Sequence, residues 1–388
     1  MAGWRKTLAS LAINAEEQFD VLKERLRNRL GTAPLHVVVY QGFAISEQFF
    51  LRGRVMEDSG VRAATDNDTI WDNIANMYRR FESDEIPGAR VAVRFQDTVQ
   101  EVVTNEEGFF DVLFTLPHPV SDSLTHFEVD VTLLEPLPPD GVPVSATGRV
   151  YTLSPQAQFG IISDIDDTIV RTDASNLLLM ARTVFLRNAR TRLPFSGVTA
   201  FYKALQKGSG TTNVNPFFYV SSSPWNLYDM LVDFFDLQDL PKGLLLLRDW
   251  GLSREDQLPT KHLEYKLSRV CEILEDFPTL PFLLIGDSGQ EDPEIYREAV
   301  RKYPGRVRAI YIRDVVERPR RHAEIESIAR ETDAVGVPML LVKDTLEAAH
   351  HAVDAGWIDS ACLAEIAESK HCDEAPPGTV ERILSDQE

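Results

Sequence analysis

Apolar positions in this chain keep three different periods, and the changes of period divide it. Over 4–30, Trp4, Leu8, Leu11, Ala15, Phe19, Leu22, Leu26 and Leu30 recur every three or four residues and Gly31 ends the run. That spacing predicts an amphipathic helix across an N-terminal segment, 1–31. Its far end carries Lys23, Arg25, Arg27 and Arg29. A stripe packed on the rest of the protein is the favoured reading, and a helix lying on lipid the sharper one. From 35 to 153 the period becomes two: HVVVY, QFFLRGRV, ARVAVRF, EVVT, GFFDVLF, FEVDVTL and GRVYTL alternate between turn residues. The expectation is an all-β sandwich of about seven strands, interrupted by TIWDNIANMYRRF (69–81) as an inserted helix or lid.

After the Pro-rich PLPPDGVP (136–143) and one more strand, the pattern changes again. FGIIS (159–163), FFYVS (217–221), GLLLL (243–247), FLLIG (282–286), VRAIYI (307–312) and PMLLV (338–342) are short, nearly continuous apolar runs separated by helix-length stretches. Such runs are strands buried on both faces, so 154–345 is expected to be an α/β domain with a doubly wound parallel sheet. The remainder, 346–388, is expected to be a helical extension ending in a mobile tail.

At 388 residues two domains are the natural expectation. The net charge of −20 disfavours a nucleic-acid partner, which needs a basic stripe, and broad adhesion to anionic membranes. No apolar run is long enough to cross a bilayer. The weakly apolar start, broken by Glu16 and Glu17, does not read as a signal peptide. Three cysteines without a CxxC suit a reducing compartment, so a cytoplasmic protein is expected, meeting a membrane only peripherally. His371 beside Cys372 reads as tail rather than as a metal site.

The chemistry gathers where the predicted parallel strands end. The first delivers Asp164, Asp166, Asp167 and Thr168, the second Ser221, Ser222 and Ser223, and the fourth Gly286, Asp287, Ser288 and Gly289, with Asp292 close behind. The helix-like HLEYKLSRVCEIL (262–274) before the fourth strand carries Lys266. Ligands of parallel α/β sheets collect at these carboxyl ends. Crowded carboxylates repel one another unless a cation offsets them. A carboxylate is a competent nucleophile toward phosphorus, but it approaches a phosphate dianion only when Mg²⁺ and a lysine neutralise the repulsion. A second carboxyl two residues on points to the same side of an extended chain, where it can protonate the leaving alkoxide and then activate water. A serine at the next strand end can hold the transferring group in line.

This ordered set resembles the haloacid dehalogenase superfamily in its DxDxT motif, serine, lysine and late acidic motif. FYVSSSPWNLYDML (218–231), LIGDSGQEDPEIY (284–296), AIYIRDV (309–315) and NARTRLPFSGVTAFYKAL (188–205) narrow the resemblance to the actin-patch-type phosphatidate phosphatase family and its bacterial relatives. The stretch TNEEGFFDVLF (104–114) resembles the transthyretin-like modules fused to many enzymes. The phosphatase resemblance implies a Mg²⁺-dependent phosphomonoester hydrolase acting through an aspartyl-phosphate, with phosphatidate as a lipid substrate met at a membrane surface. It implies Asp164 as nucleophile and Asp166 as general acid/base. Asp164, the backbone carbonyl of Asp166 and Asp287 would hold the metal, and Asp292 would orient it or serve as alternate ligand. Ser221 or Ser222, with Thr168, would meet the phosphate, and Lys266 would offset its charge. In the family pattern a histidine commonly precedes the lysine; this chain has Tyr265, which leaves Lys261, beside His262, as a rival.

Blander readings compete with each of these. The serines can cap a helix that begins with Pro224, and a cap is compatible with an anion site. Lys266 can lie on a solvated helix face. SNLLLMARTVFL (175–186) can be a buried helix or a surface for acyl chains, with Arg171, Arg182, Arg187, Arg190 and Arg192 near enough in sequence to engage a headgroup. GDSG lacks the supporting residues of a serine protease. Two rival functions remain, a phosphatase of a soluble phosphomonoester and a scaffold whose phosphatase domain is vestigial.

Overall fold

The computed structural model describes residues 34–45, 47–57, 85–116, 126–138, 141–165, 196–210, 214–248, 259–316 and 318–374. The predicted helices over 4–30 and 69–81, the apolar stretch 175–186 and the last residues, 375–388, lie outside the described residues. The chain divides into two compact units, Met1–Pro155 and Gln156–Glu388.

The first unit is built from β1 (Leu35–Val39), β2 (Gly42–Ile45), β3 (Gln48–Glu57), β4 (Arg90–Phe95), β5 (Thr98–Val103), β6 (Phe109–Thr115), β7 (His126–Glu135) and β8 (Ser145–Thr152). All eight join one hydrogen-bonded sheet in the order β1-β3-β2-β8-β7-β4-β5, with β6 on the free side of β3. The all-β first unit expected from the sequence is present, with eight strands among the described residues against an expectation of about seven. The short strand β2, whose GFAI is too brief and too glycine-rich to stand out by alternation, pairs parallel with β8 and makes the sheet continuous and mixed. Gly42 is required there, because a Cβ would lie 2.5 Å from the carbonyl oxygen of Phe50. The sheet folds over on itself. Phe49 of β3 meets Phe127 of β7 with ring centroids 5.5 Å apart, and Phe114 of β6 meets Phe95 of β4 at 6.5 Å, although these strands are not neighbours. Alternate residues of β7 (Phe127, Val129, Val131, Leu133) are buried in the core so formed, as the period of two requires. The NEEG turn is set by Asn105, whose side-chain oxygen accepts from the N–H groups of Glu107 and Phe109 at 3.0 and 2.9 Å.

The second unit runs β9 (Gly160–Asp164), α1 (Val198–Lys207), β10 (Phe217–Pro224), a 3₁₀ turn (Trp225–Leu227), α2 (Tyr228–Leu237), β11 (Leu244–Arg248), α3 (Pro259–Asp276), β12 (Phe282–Asp287), α4 (Asp292–Lys302), β13 (Val307–Arg313), α5 (Pro319–Asp333), β14 (Met339–Val342), α6 (Thr345–Asp354) and α7 (Cys362–Glu374). Six strands form a second sheet, β11-β10-β9-β12-β13-β14, in which every pairing is parallel. Both faces are covered, which explains the unbroken apolar runs. Phe217 packs on Tyr202 of α1 at 5.2 Å, while the next residue, Phe218, packs on Phe277 at the end of α3 at 5.1 Å. Successive side chains of a strand point to opposite faces, so α1 and α3 cover different ones.

Chain order moves outward from β9 through β10 to β11, then returns to β12 on the other side. Where a parallel sheet reverses direction, the connections leave in opposite senses and a crevice opens at the carboxyl ends. Here the two strands flanking that point end on Asp164 and Asp287. Among the described residues no helix is long and apolar enough to cross a membrane.

Candidate active site

Asp164 closes β9 with β10 on one side, where its Cα partner is Val220, and β12 on the other, where Ser163 pairs Ile285. The strand is anchored behind it by Ser163, whose hydroxyl lies 2.7 Å from that of Tyr202. Burial pushes the Tyr202 phenol up to about 12, so it stays neutral as a hydrogen-bonding partner.

Lys266 reaches this end from α3. The helix is tied to the sheet one residue earlier, where the Tyr265 hydroxyl donates to the carbonyl oxygen of Leu247 in β11. The departure from the family pattern at 265 thus has a positional role of its own. The Lys266 ammonium is buried; it pairs ionically with Asp164, 2.6 Å from Oδ1, and donates to Gln290 Oε1 at 3.0 Å and Asp292 Oδ1 at 3.2 Å. The Asp164 side chain is 4% exposed and that of Lys266 6%, which places this pair well inside the protein.

The other carboxylates come from the turn between β12 and α4. Asp287 Oδ1 accepts from the N–H groups of Gly289 and Gln290 at 2.6 and 3.1 Å, which curls the loop around it. Asp292 opens α4 and accepts the Asp287 N–H at 3.0 Å through Oδ2. One oxygen each from Asp164, Asp287 and Asp292 lie within 4.8 Å of one another. The Tyr296 phenol beneath them is pushed well above its ordinary value, first by burial and then by the charges of Asp292, Asp164 and Asp287. Its hydroxyl donates to the Ile285 carbonyl. Three carboxylates around one ammonium leave a local excess of negative charge. An all-oxygen set with this charge suits a hard divalent cation, whose ligand oxygens in octahedral geometry lie roughly 3–4 Å apart.

Of the residues singled out by sequence, Asp164, Asp287, Asp292 and Lys266 form one cluster. Ser221, Ser222 and Ser223 are buried at the end of the neighbouring strand. Asp166, Thr168 and the side chain of Lys261 lie outside the described residues. The expected serine cap takes another form. The helix α2 begins at Tyr228, its N-cap position is Leu227 without a side-chain bond, and Ser221 Oγ instead accepts the N–H of Ser223 at 2.9 Å. The 3₁₀ turn explains the shift, since it occupies the residues after Pro224 that a cap would have started. Gln290 and Arg321 were not singled out, because nothing in their spacing marks them; only the turn and the packing of α5 bring them here.

Gly286 fixes the approach of Asp292 to β12. A Cβ at 286 would lie 2.5 Å from Asp292 Oδ2 and 2.7 Å from its Cβ. Gly286→Ala is therefore expected to push Asp292 off Lys266, lowering stability by about 1–3 kcal/mol and activity by about tenfold or more. Urea denaturation and initial rates check it, and an alanine variant matching the parent in both would refute the tight approach.

Residues 159–314 match the family described as phosphatidate phosphatase APP1, catalytic domain. Phosphatidate phosphatase APP1 of Saccharomyces cerevisiae is 32% identical over 187 residues, which cover 48% of this chain and 31% of that protein. An uncharacterized protein of Schizosaccharomyces pombe is 28% identical over 217 residues, covering 55% of this chain and 34% of the relative. The chain thus spans about a third of the length of these curated relatives. Among solved structures, a carbohydrate acetylesterase from Xanthomonas citri aligns over 79% of this chain and 75% of its own at 15% identity, with a TM-score of 0.24, a likeness too slight to inform the fold.

Proposed function

Because residues 159–314 belong to the APP1 phosphatidate phosphatase catalytic-domain family, we propose that this chain hydrolyses phosphatidate to diacylglycerol and inorganic phosphate with Mg²⁺ as cofactor. The observation that carries the reading is the convergence of Asp164, Asp287 and Asp292 around Lys266 at the reversal point of the parallel sheet. The strand order and the acid-tipped central strands support a haloacid dehalogenase-like catalytic domain.

In this reading Asp164 attacks phosphorus, the phosphorus–oxygen bond to the glycerol breaks, and Asp166 gives its proton to the departing oxygen. The covalent product is an aspartyl-phosphate on Asp164. Asp166, now ionised, takes a proton from water as that water attacks phosphorus, releasing inorganic phosphate and restoring the Asp164 carboxylate. Lys266 lies against Asp164 and offsets the negative charge that an approaching phosphate brings. Ser221 and Ser222, with Thr168, hydrogen-bond the phosphoryl oxygens and hold the group in line. Asp164, Asp287, Asp292 and the carbonyl of Asp166 would hold Mg²⁺, which supplies charge neutralisation of the phosphoryl oxygens when bound.

The substrate is met at a membrane surface. The net charge of −20 favours a second reading, a soluble phosphomonoester as substrate. Phosphate release from phosphatidate in mixed micelles, beside a short-chain soluble ester, separates the two. Turnover of the lipid that vanishes on chelation is the expected result. Turnover of the soluble ester alone would keep the chemistry and overturn the lipid assignment.

A further inference from the structure

The turn that carries the acidic cluster has two sides. Its inner side presents the N–H groups of Gly289 and Gln290 to Asp287, and the Gln290 side chain to Lys266. Its outer side presents carbonyl oxygens to Arg321, in the first turn of α5. Arg321 Nε donates to the Ser288 carbonyl at 3.0 Å and Nη2 to the Gln290 carbonyl at 2.6 Å. The same guanidinium grips Glu294 through both carboxylate oxygens, Nη1 to Oε1 at 2.6 Å and Nη2 to Oε2 at 3.0 Å. Glu294 lies in the first turn of α4, the turn that Asp292 opens. One planar cation thus holds both the loop after Asp287 and the helical turn of Asp292.

We propose that Arg321 is the positioning residue of the metal-binding carboxylates, fixing the 288–291 turn so that Asp287 and Asp292 keep the spacing a divalent cation needs. The inference rests on the Mg²⁺ reading given above. Arg321 lies beyond the family-matched segment, which ends at 314, so the role comes from the contacts alone. The geometry calls for a guanidinium. Four hydrogen bonds in a plane, to two carbonyls and a bidentate carboxylate, match its fork, and a lysine ammonium offers three donors in another geometry. The charge is firm, since the hydrogen bonds to Glu294 raise the Arg321 pKa above its ordinary value. Neighbouring contacts back the same turn: Ser288 Oγ accepts from the N–H groups of Val315 and Val316, at 2.9 and 3.2 Å.

A purely architectural role, α5 stapled to α4, would move the melting temperature and leave the metal site alone. The test is Mn²⁺ binding to the full chain without substrate, followed by electron paramagnetic resonance and competed by Mg²⁺, with melting recorded beside it. Outer partners that orient metal ligands are worth roughly 10–100-fold in metal affinity. Arg321→Lys is expected to weaken Mn²⁺ and Mg²⁺ by about tenfold or more in a chain that is still folded. Glu294→Gln, which leaves the two carbonyl contacts in place, is expected to weaken them by about threefold, and it carries the test if Arg321→Lys does not fold. Parent-like affinity in a folded Arg321→Lys, or in Glu294→Gln where that variant carries the test, overturns the positioning role and leaves the Mg²⁺ reading standing. A parent chain that binds neither cation overturns both.

Discussion

Asp164→Asn is expected to abolish phosphate release while leaving the second unit folded. An amide nitrogen or oxygen does not attack phosphorus as a carboxylate does, and losing a catalytic nucleophile costs on the order of 10³-fold or more. The fold should tolerate the change, because the side chain is nearly isosteric and the site is overcharged. Asn removes one of three mutually repelling carboxylates, and Lys266 keeps Gln290 and Asp292 at 3.0 and 3.2 Å. The Asp164 ion pair at 2.6 Å is lost with the charge. Phosphate release from micellar phosphatidate, with a metal-free melting curve recorded beside it, is the measurement. Activity within tenfold of the parent would remove Asp164 from the nucleophile's role and turn attention to a different carboxylate.

Lys266→Met has the opposite balance. The methionine fills similar volume but leaves Asp164 and Asp292 buried without their ammonium, and breaking a buried pair from one side costs about 3–5 kcal/mol. Activity should fall by about 10²–10³-fold, because the charge that offsets an incoming phosphate is gone. The two effects separate when a divalent cation is added. Mg²⁺ should raise the melting temperature of Lys266→Met more than that of the parent, since it meets a larger uncompensated charge. Activity should not return with it, because the cation does not replace the ammonium beside the nucleophile. A variant that melts and turns over like the parent would transfer the role to Lys261.

The sequence was most legible where chemistry and burial coincide. The apolar runs of β9 and β12 are unbroken because both faces of the second sheet are covered, and each run ends on the aspartate that the strand delivers. Lys266 could be picked out only by its order among the other motifs; its side chain reaches Asp164 because Tyr265 ties α3 to β11. The short β2, which joins β3 to β8, escaped notice because four residues that include a glycine carry almost no alternation. Gln290 and Arg321 escaped for another reason. Their partners are backbone carbonyls, an ammonium and a carboxylate brought near by the packing of α4 and α5, and backbone groups leave no trace in residue identity. The serine cap failed because the chain inserts a 3₁₀ turn before α2, a choice made by packing of the buried Trp225 and Tyr228.

The strand that bears Asp164 pairs on both sides with strands that come later in the chain. On a ribosome, which releases the amino end first, this carboxylate emerges before β10, α3 and β12 are made. Lys266, Asp287 and Asp292 all arrive from the carboxyl side, and Arg321 arrives after them. Non-local pairings of this kind form slowly, since the loops between must close before any contact rewards them. A nascent or truncated chain therefore presents Asp164 without the groups that the later turns bring to it. On the function proposed above, a chain released early would lack the groups that surround Asp164, because the ribosome has yet to deliver them.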